Sequence, residues 1–398
     1  MAALTRRPAG RWLVPLGVVC AIALIAALTA VIRAAASGGP LPARSATTLV
    51  ADLATTNVAG VSGTVTERAD LGLPALPGVG GDGSADWTQL LSGSHTLRVW
   101  SAGPAMSRVA LLGSLGESDI VRNGADLWTW SSADNTATHL RLPSIGTATP
   151  GSSAPGLPDG IPSNLAPLLS KLLPATPQQA AAEILAALSP TTSVRNAGAV
   201  SVAGRSAYEL VIAPRDTASL VASIRIDIDA TEHVPLRLRV FAKGHASPAF
   251  EIGFTQVSFD RPDASVFDFS PPSGATVTQV PAPSLKRPLT TPSPNDGPAP
   301  HLSVIGSGWT AILAVKGQPP SLPRRYGSIS GSEPGQSDDA SGSALGAIIA
   351  QLPTVSGSWG TGRLLSTRLL SVLITNDGRV FAGAVAPSAL YAAAASHK

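Results

Sequence analysis

Between residues 224 and 254 apolar and polar residues alternate in three successive stretches. Ile224, Ile226 and Ile228 interleave with Arg225, Asp227 and Asp229. Leu236, Leu238 and Val240 interleave with Arg237, Arg239 and Phe241, and Phe250, Ile252 and Phe254 with Glu251, Gly253 and Thr255. A period of two puts every second side chain on the same side of an extended backbone. These stretches are therefore strands with one apolar and one polar face. Such strands suit a mostly antiparallel sheet with one side toward water. Asp227 and Asp229 then read as a solvated face that pairs across strands with Arg237 and Arg239.

Further strand signals precede this region. The run Val61-Ser-Gly-Thr-Val-Thr-Glu alternates in the same way. Residues 96–101, 106–112, 119–122, 127–131, 136–142 and 207–213 continue the pattern, and Asn123-Gly124 marks a hairpin between two of them. Trp128 and Trp130 share a strand face, as core aromatics or as a stacking surface. His139 and Arg141 share one too, read as solvated. Two helices interrupt the strands. Residues 45–57 place Leu49, Val50, Leu53 and Val58 at helical spacing behind the capping Ser45, and Thr176-Pro177 opens an Ala-rich helix through 188.

The N-terminal stretch limits where the sheet can reside. Residues 12–32 carry no charge and, at 1.5 Å per residue, reach across a ~30 Å hydrocarbon core. Arg6, Arg7 and Arg11 precede the span and only Arg33 closely follows it, which predicts a cytoplasmic tail at 1–11 and an extracytoplasmic bulk. The span exceeds the ~7–15 apolar residues of a cleaved signal peptide, although Ala34-Ala35-Ala36 offers a cleavage site. Lipoprotein processing lacks its small residue, because Val18-Val19 precede Cys20. The expectation is a single-pass signal-anchor at 12–33 in a bacterial cytoplasmic membrane, then a linker at 34–42. A large unit follows at 43–280, then a Pro-rich linker at 281–300 and a small α+β unit at 301–398. In that last unit residues 301–315 read as a strand, 344–352 and 387–395 as helices, and 369–375 with 380–385 as a hairpin.

Composition removes several function classes. Gly and Pro, at 39 and 35 residues, are too frequent for a coiled coil or helical solenoid, and charged residues are only 13 % of the chain, about half the usual ~25 %. The basic residues are scattered and form no stripe interleaved with aromatics, so no nucleic-acid partner is expected. The lone Cys20 forms no disulfide, and no two of the six histidines lie within five residues of each other, so neither a metal nor another cofactor is expected. Gly-x-Ser-x-Gly and the P-loop pattern do not occur. Gly357-Ser-Trp-Gly-Thr-Gly reads as a tight turn before a strand. No residue set reads as catalytic, and the chain is expected not to be an enzyme.

Two passages carry a family resemblance. The first is VSGTVTERADLGLP at 61–74, which follows the short helix. The second runs from Ile226-Asp-Ile-Asp through Pro235-Leu-Arg to Ser265-Val-Phe-Asp-Phe-Ser-Pro-Pro-Ser-Gly-Ala-Thr-Val277. Together they resemble the LolA-like lipoprotein-carrier superfamily, whose relatives include LolB, LppX and the RseB/MucB stress sensors. The resemblance covers roughly residues 43–280. It implies an incomplete, curved antiparallel β-barrel covered by helices, with an apolar concave side for acyl chains of lipids or lipoproteins.

On that reading the chain is a membrane-anchored, non-enzymatic carrier. The alternatives are a sensor of the RseB kind that signals to a membrane partner, and a structural module without ligand. Alternating strand positions nominate Val65, Val99, Leu127, Leu140, Ile226, Leu238 and Ile252 as the cavity lining. The segment 161–173 presents Leu165, Leu168, Leu169, Leu172 and Leu173 at helical spacing, as an amphipathic lid would.

Overall fold

The computed structural model describes residues 41–56, 58–73, 85, 87–142, 190–280, 301–316, 349 and 351–397. The N-terminal span at 12–33, the helix at 177–188, the lid leucines at 165–173, the linker at 34–42 up to residue 40, the linker at 281–300 and most of 344–352 lie outside the described residues. Among the described residues no helix is long and apolar enough to cross a membrane.

Helix α1 (Ala46–Thr55) starts where the sequence predicts. Ser45 is its N-cap, and its hydroxyl accepts from the Thr48 backbone N–H at 3.0 Å. Leu49 and Leu53 are buried on the side that meets the sheet. Ser45→Ala removes the cap and is expected to cost about 1 kcal/mol, read as a lowered urea midpoint at unchanged slope.

Six strands follow as a meander: β1 (Val61–Asp70), β2 (Ser92–Ser101), β3 (Met106–Leu112), β4 (Glu117–Asn123), β5 (Asp126–Ser131) and β6 (Thr136–Arg141). A single-turn helix at Trp87–Leu91 leads into β2. The second series is β7 (Thr192–Val202), β8 (Arg205–Pro214), β9 (Val221–Asp229), β10 (Pro235–Ala242) and β11 (Pro248–Ser258), with β12 (Thr276–Val280) last. All twelve form one sheet in the order β12-β6-β5-β4-β3-β2-β1-β11-β10-β9-β8-β7. The two series join where β11 pairs antiparallel with β1. The sheet is open and uncurled, with β12 and β7 as its edges, so the expected curved half-barrel is not what these strands form. β12 is the exception to the antiparallel pattern, since it runs parallel to β6. Gly63 sits where β1 meets an irregularity in β11. A Cβ there would fall 2.1 Å from the Gln256 carbonyl oxygen, so the position takes glycine.

The predicted strand at 301–315 is two strands. β13 (His301–Ile305) and β14 (Ile312–Lys316) pair antiparallel across the single-turn helix Gly308–Thr310. Gly306 and Gly308 take positive φ at this reversal, which the apolar content of the stretch conceals. β15 (Thr354–Gly357), β16 (Gly360–Ser366), β17 (Ser371–Thr375) and β18 (Val380–Gly383) complete a six-stranded sheet, β13-β14-β18-β17-β16-β15. The turn at 358–359 precedes β16, as its glycines suggest. Helix α2 (Pro387–Ser396) buries Leu390, Ala393 and Ala394 against Leu373 and Phe381. Buried Arg379 fastens this unit: its Nη1 donates to the carbonyls of Ala394 and His397, and its Nη2 to that of Trp359. Hydrogen bonds from Arg379 and Thr375 hold the Asp377 carboxyl down at about 2.

The two sheets interlock. Trp309, Leu369 and Ala384 pack against the core beneath α1, and Trp309 Nε1 donates to Thr192 Oγ1 at 2.8 Å. The Leu220 N–H donates to the Ala384 carbonyl, and Arg368 forms an ion pair with Asp70.

Candidate apolar sheet face

The strand register follows one face of the large sheet from end to end. On β1, Val65 lies opposite Leu97 of β2 and Phe254 of β11. Leu97 lies opposite Leu111, and Val99 opposite Val109, which lies opposite Ile120. Two residues beyond Ile120, Arg122 lies opposite Leu127, and Leu127 opposite Leu140. In the other direction Ile252 lies opposite Leu238, Leu238 opposite Ile226, and Ile226 opposite Leu210. Val65, Val99, Leu127, Leu140, Ile226, Leu238 and Ile252 thus all stand on this face.

They are not equally accessible. Leu49 and Leu53 of α1 cover Leu210, Ile224, Ile226 and Ile228, and Ile226 is 3 % exposed. Trp87 and Leu90 cover Val65, Leu97 and Leu111. Val65 and Ile226 are therefore part of a filled core. Val99, Leu127, Leu140, Leu238 and Ile252 are only half-buried. Leu236 departs from the expected set. A register irregularity between Pro235 and Arg237 sets it apart, and it packs with Val202 and Ala207 instead of the core beneath α1.

One charged pair sits on this apolar face. Glu67 follows Val61, Gly63 and Val65 at the inward phase of β1 and is 2 % exposed. It lies opposite His95 on β2 and Ile252 on β11. His95 Nδ1 is 3.0 Å from Glu67 Oε2, while Oε1 is buried without a hydrogen-bond partner. A carboxylate carries no proton to give, so the imidazole is the donor. Burial raises the Glu67 carboxyl above its ordinary 4.5, and the hydrogen bond and charge of His95 offset this only in part. The folded state then binds the proton more tightly than the unfolded chain, and stability falls as pH rises from 4.5 through the raised native value. Glu67→Gln should abolish that fall, so urea midpoints of wild type and variant diverge in the variant's favour with rising pH.

The opposite face carries the paired charges and corrects an expectation. Asp227 does pair with Arg237, at 2.6 Å, and with Arg239, at 3.1 Å, but it is fully buried and not solvated. Arg239 also reaches Glu209, and Arg225 pairs with Glu209 at 3.4 Å. Asp229 is buried too, and its arginine is Arg205, at 2.5 Å, on the adjacent strand β8. Despite these charges, Asp227 and Asp229 are 0 % and 1 % exposed, shut off from water with their arginines paired to them. His139 is likewise not simply solvated: it stacks on Trp128 with ring centroids 4.2 Å apart, and Phe269 closes over Trp128 and Trp130.

No family model and no curated protein matches the chain. Solved structures do. MucB in the Pseudomonas aeruginosa MucA/MucB complex is 15 % identical with a TM-score of 0.40, covering 88 % of this chain and 96 % of that one. An uncharacterized conserved protein from Thermus thermophilus is 13 % identical with a TM-score of 0.33, covering 59 % and 99 %. The LolA superfamily protein NE2245 from Nitrosomonas europaea is 12 % identical with a TM-score of 0.20, covering 57 % and 99 %. At such identities the likeness concerns fold alone.

Proposed function

We propose that the chain is a non-enzymatic, extracytoplasmic binding or carrier module, held at the membrane by residues 12–33, whose apolar sheet face takes up acyl chains. One observation carries this reading: an apolar face, interrupted at Arg122, in which Val99, Leu238 and Ile252 at the margins of the two covered cores, and Leu127 and Leu140 beyond Arg122, stay half-buried. A sheet with one apolar face needs a helix, a second sheet or a ligand over it. Each buried CH₂ contributes ~0.8 kcal/mol, so a C16 chain supplies on the order of 10 kcal/mol before ordering costs. The sheet is open, so on this proposal the acyl chain lies along its apolar face and not inside a closed barrel.

Native mass spectrometry of the chain purified from its own envelope tests it. Co-purifying acyl lipid is the expected result. A bare mass under conditions that retain lipid on a control carrier favours the structural module. A second reading, a sensor with a membrane-protein partner, draws on the interlocked small sheet. A perturbation of that sheet would reach the core beneath α1 through Trp309. MucB, to which the chain is similar in fold, is seen in complex with MucA.

A further inference from the structure

Glu67 is a carboxylate where the sheet otherwise places apolar residues. Its neighbours on β1 are Val65 and Ala69, and Ile252 lies opposite it on β11. Directly opposed residues on one face bring their Cβ atoms within roughly 5 Å. Its charge is therefore set into the same surface that carries Ile252 and Leu238. The His95 N–H satisfies Oε2, and Oε1 keeps its lone pairs, buried and without a donor. An unmet acceptor in an apolar setting is costly, and more so when charged. A buried polar group that lacks a protein partner calls for an explanation, and a ligand group that completes its bonding is one.

We propose that the Glu67–His95 pair is the polar end of the acyl site and selects single-chain lipids with an uncharged, hydroxyl-bearing head over fatty-acid anions. This rests on the apolar-face reading above. A hydroxyl of such a head donates to Oε1 while the alkyl chain lies along Ile252 and Leu238. A ligand carboxylate in the same position offers no proton and meets a like charge in a poorly screened setting. A charge-assisted hydrogen bond to the hydroxyl is consistent with about tenfold discrimination.

The full chain, kept soluble by an amphipathic polymer, is photolabelled with a diazirine-bearing C16 alcohol. Monopalmitoylglycerol and palmitate then compete at pH 8. Monopalmitoylglycerol should displace the probe at about tenfold lower concentration than palmitate, and Glu67→Gln should bring the two within about twofold. Equal potency on the wild type, or a preference unchanged in Glu67→Gln, overturns the inference and leaves the apolar-face reading standing. Absence of probe labelling overturns both. The wild-type comparison is decisive even where the variant does not fold.

Discussion

Ile226→Asp is expected to abolish the folded state of the large sheet. Ile226 sits at the centre of β9, opposite Leu210 and Leu238, beneath Leu49 and Leu53 of α1. Its place is lined by apolar groups, and the arginines of its own and the neighbouring strand, Arg225, Arg237 and Arg239, all lie on the other face. A carboxylate there has neither water nor partner, which costs more than about 4 kcal/mol. Total stabilities are about 5–15 kcal/mol, so most of the margin goes. Far-ultraviolet circular dichroism and a urea titration should show no cooperative transition, or one displaced to near zero denaturant. Wild-type stability in the variant would mean that this face is not the core face.

Asp227→Asn is expected to cost about 2–4 kcal/mol, well beyond what a surface substitution does. The carboxylate is fully buried and receives both Arg237 and Arg239, whose side chains are 25 % and 16 % exposed. Removing the charge leaves two guanidiniums over one neutral amide. Glu209 and Glu251 still answer them, which keeps the loss below that of a fully orphaned pair. An Arg225→Gln control should cost about 1 kcal/mol, because Arg225 is 36 % exposed, pairs with Glu209 at 3.4 Å and lies over the Phe241 ring, 4.6 Å from its centroid. A shift of Asp227→Asn no larger than this control would return the residue to a solvated face.

The residues that were legible from sequence are those whose signal is local. Ser45 and the leucines of α1, the alternation of β9 to β11 and the hairpin at Asn123-Gly124 each lie within a few consecutive positions. Face assignment follows from alternation and the unbroken pairing of β2 through β6. What stayed hidden depends on distant chain segments. β7 pairs through an irregularity between Asn196 and Ala199, which blurs its alternation. β12 joins by a parallel pairing to β6, far back in the chain. Alternation assigns Asp227 to the polar face but does not say that arginines from a neighbouring strand will roof it. Glu67 could have been found: it falls at the inward phase set by Val61, Gly63 and Val65, where a charge demands a partner.

Residue-level mapping of a photoactivated acyl probe tests most directly whether the apolar face holds ligand. The full chain is labelled with the diazirine-bearing C16 alcohol and digested, and the adducts are located by tandem mass spectrometry. Adjacent residues on a strand point to opposite faces, so the pattern itself is diagnostic. Adducts are predicted at Leu127, Leu140, Leu238 and Ile252, with Trp128, His139, Arg237 and Gly253 unmodified. Adducts on both faces alike, on the second set alone, or nowhere would contradict an acyl-binding face.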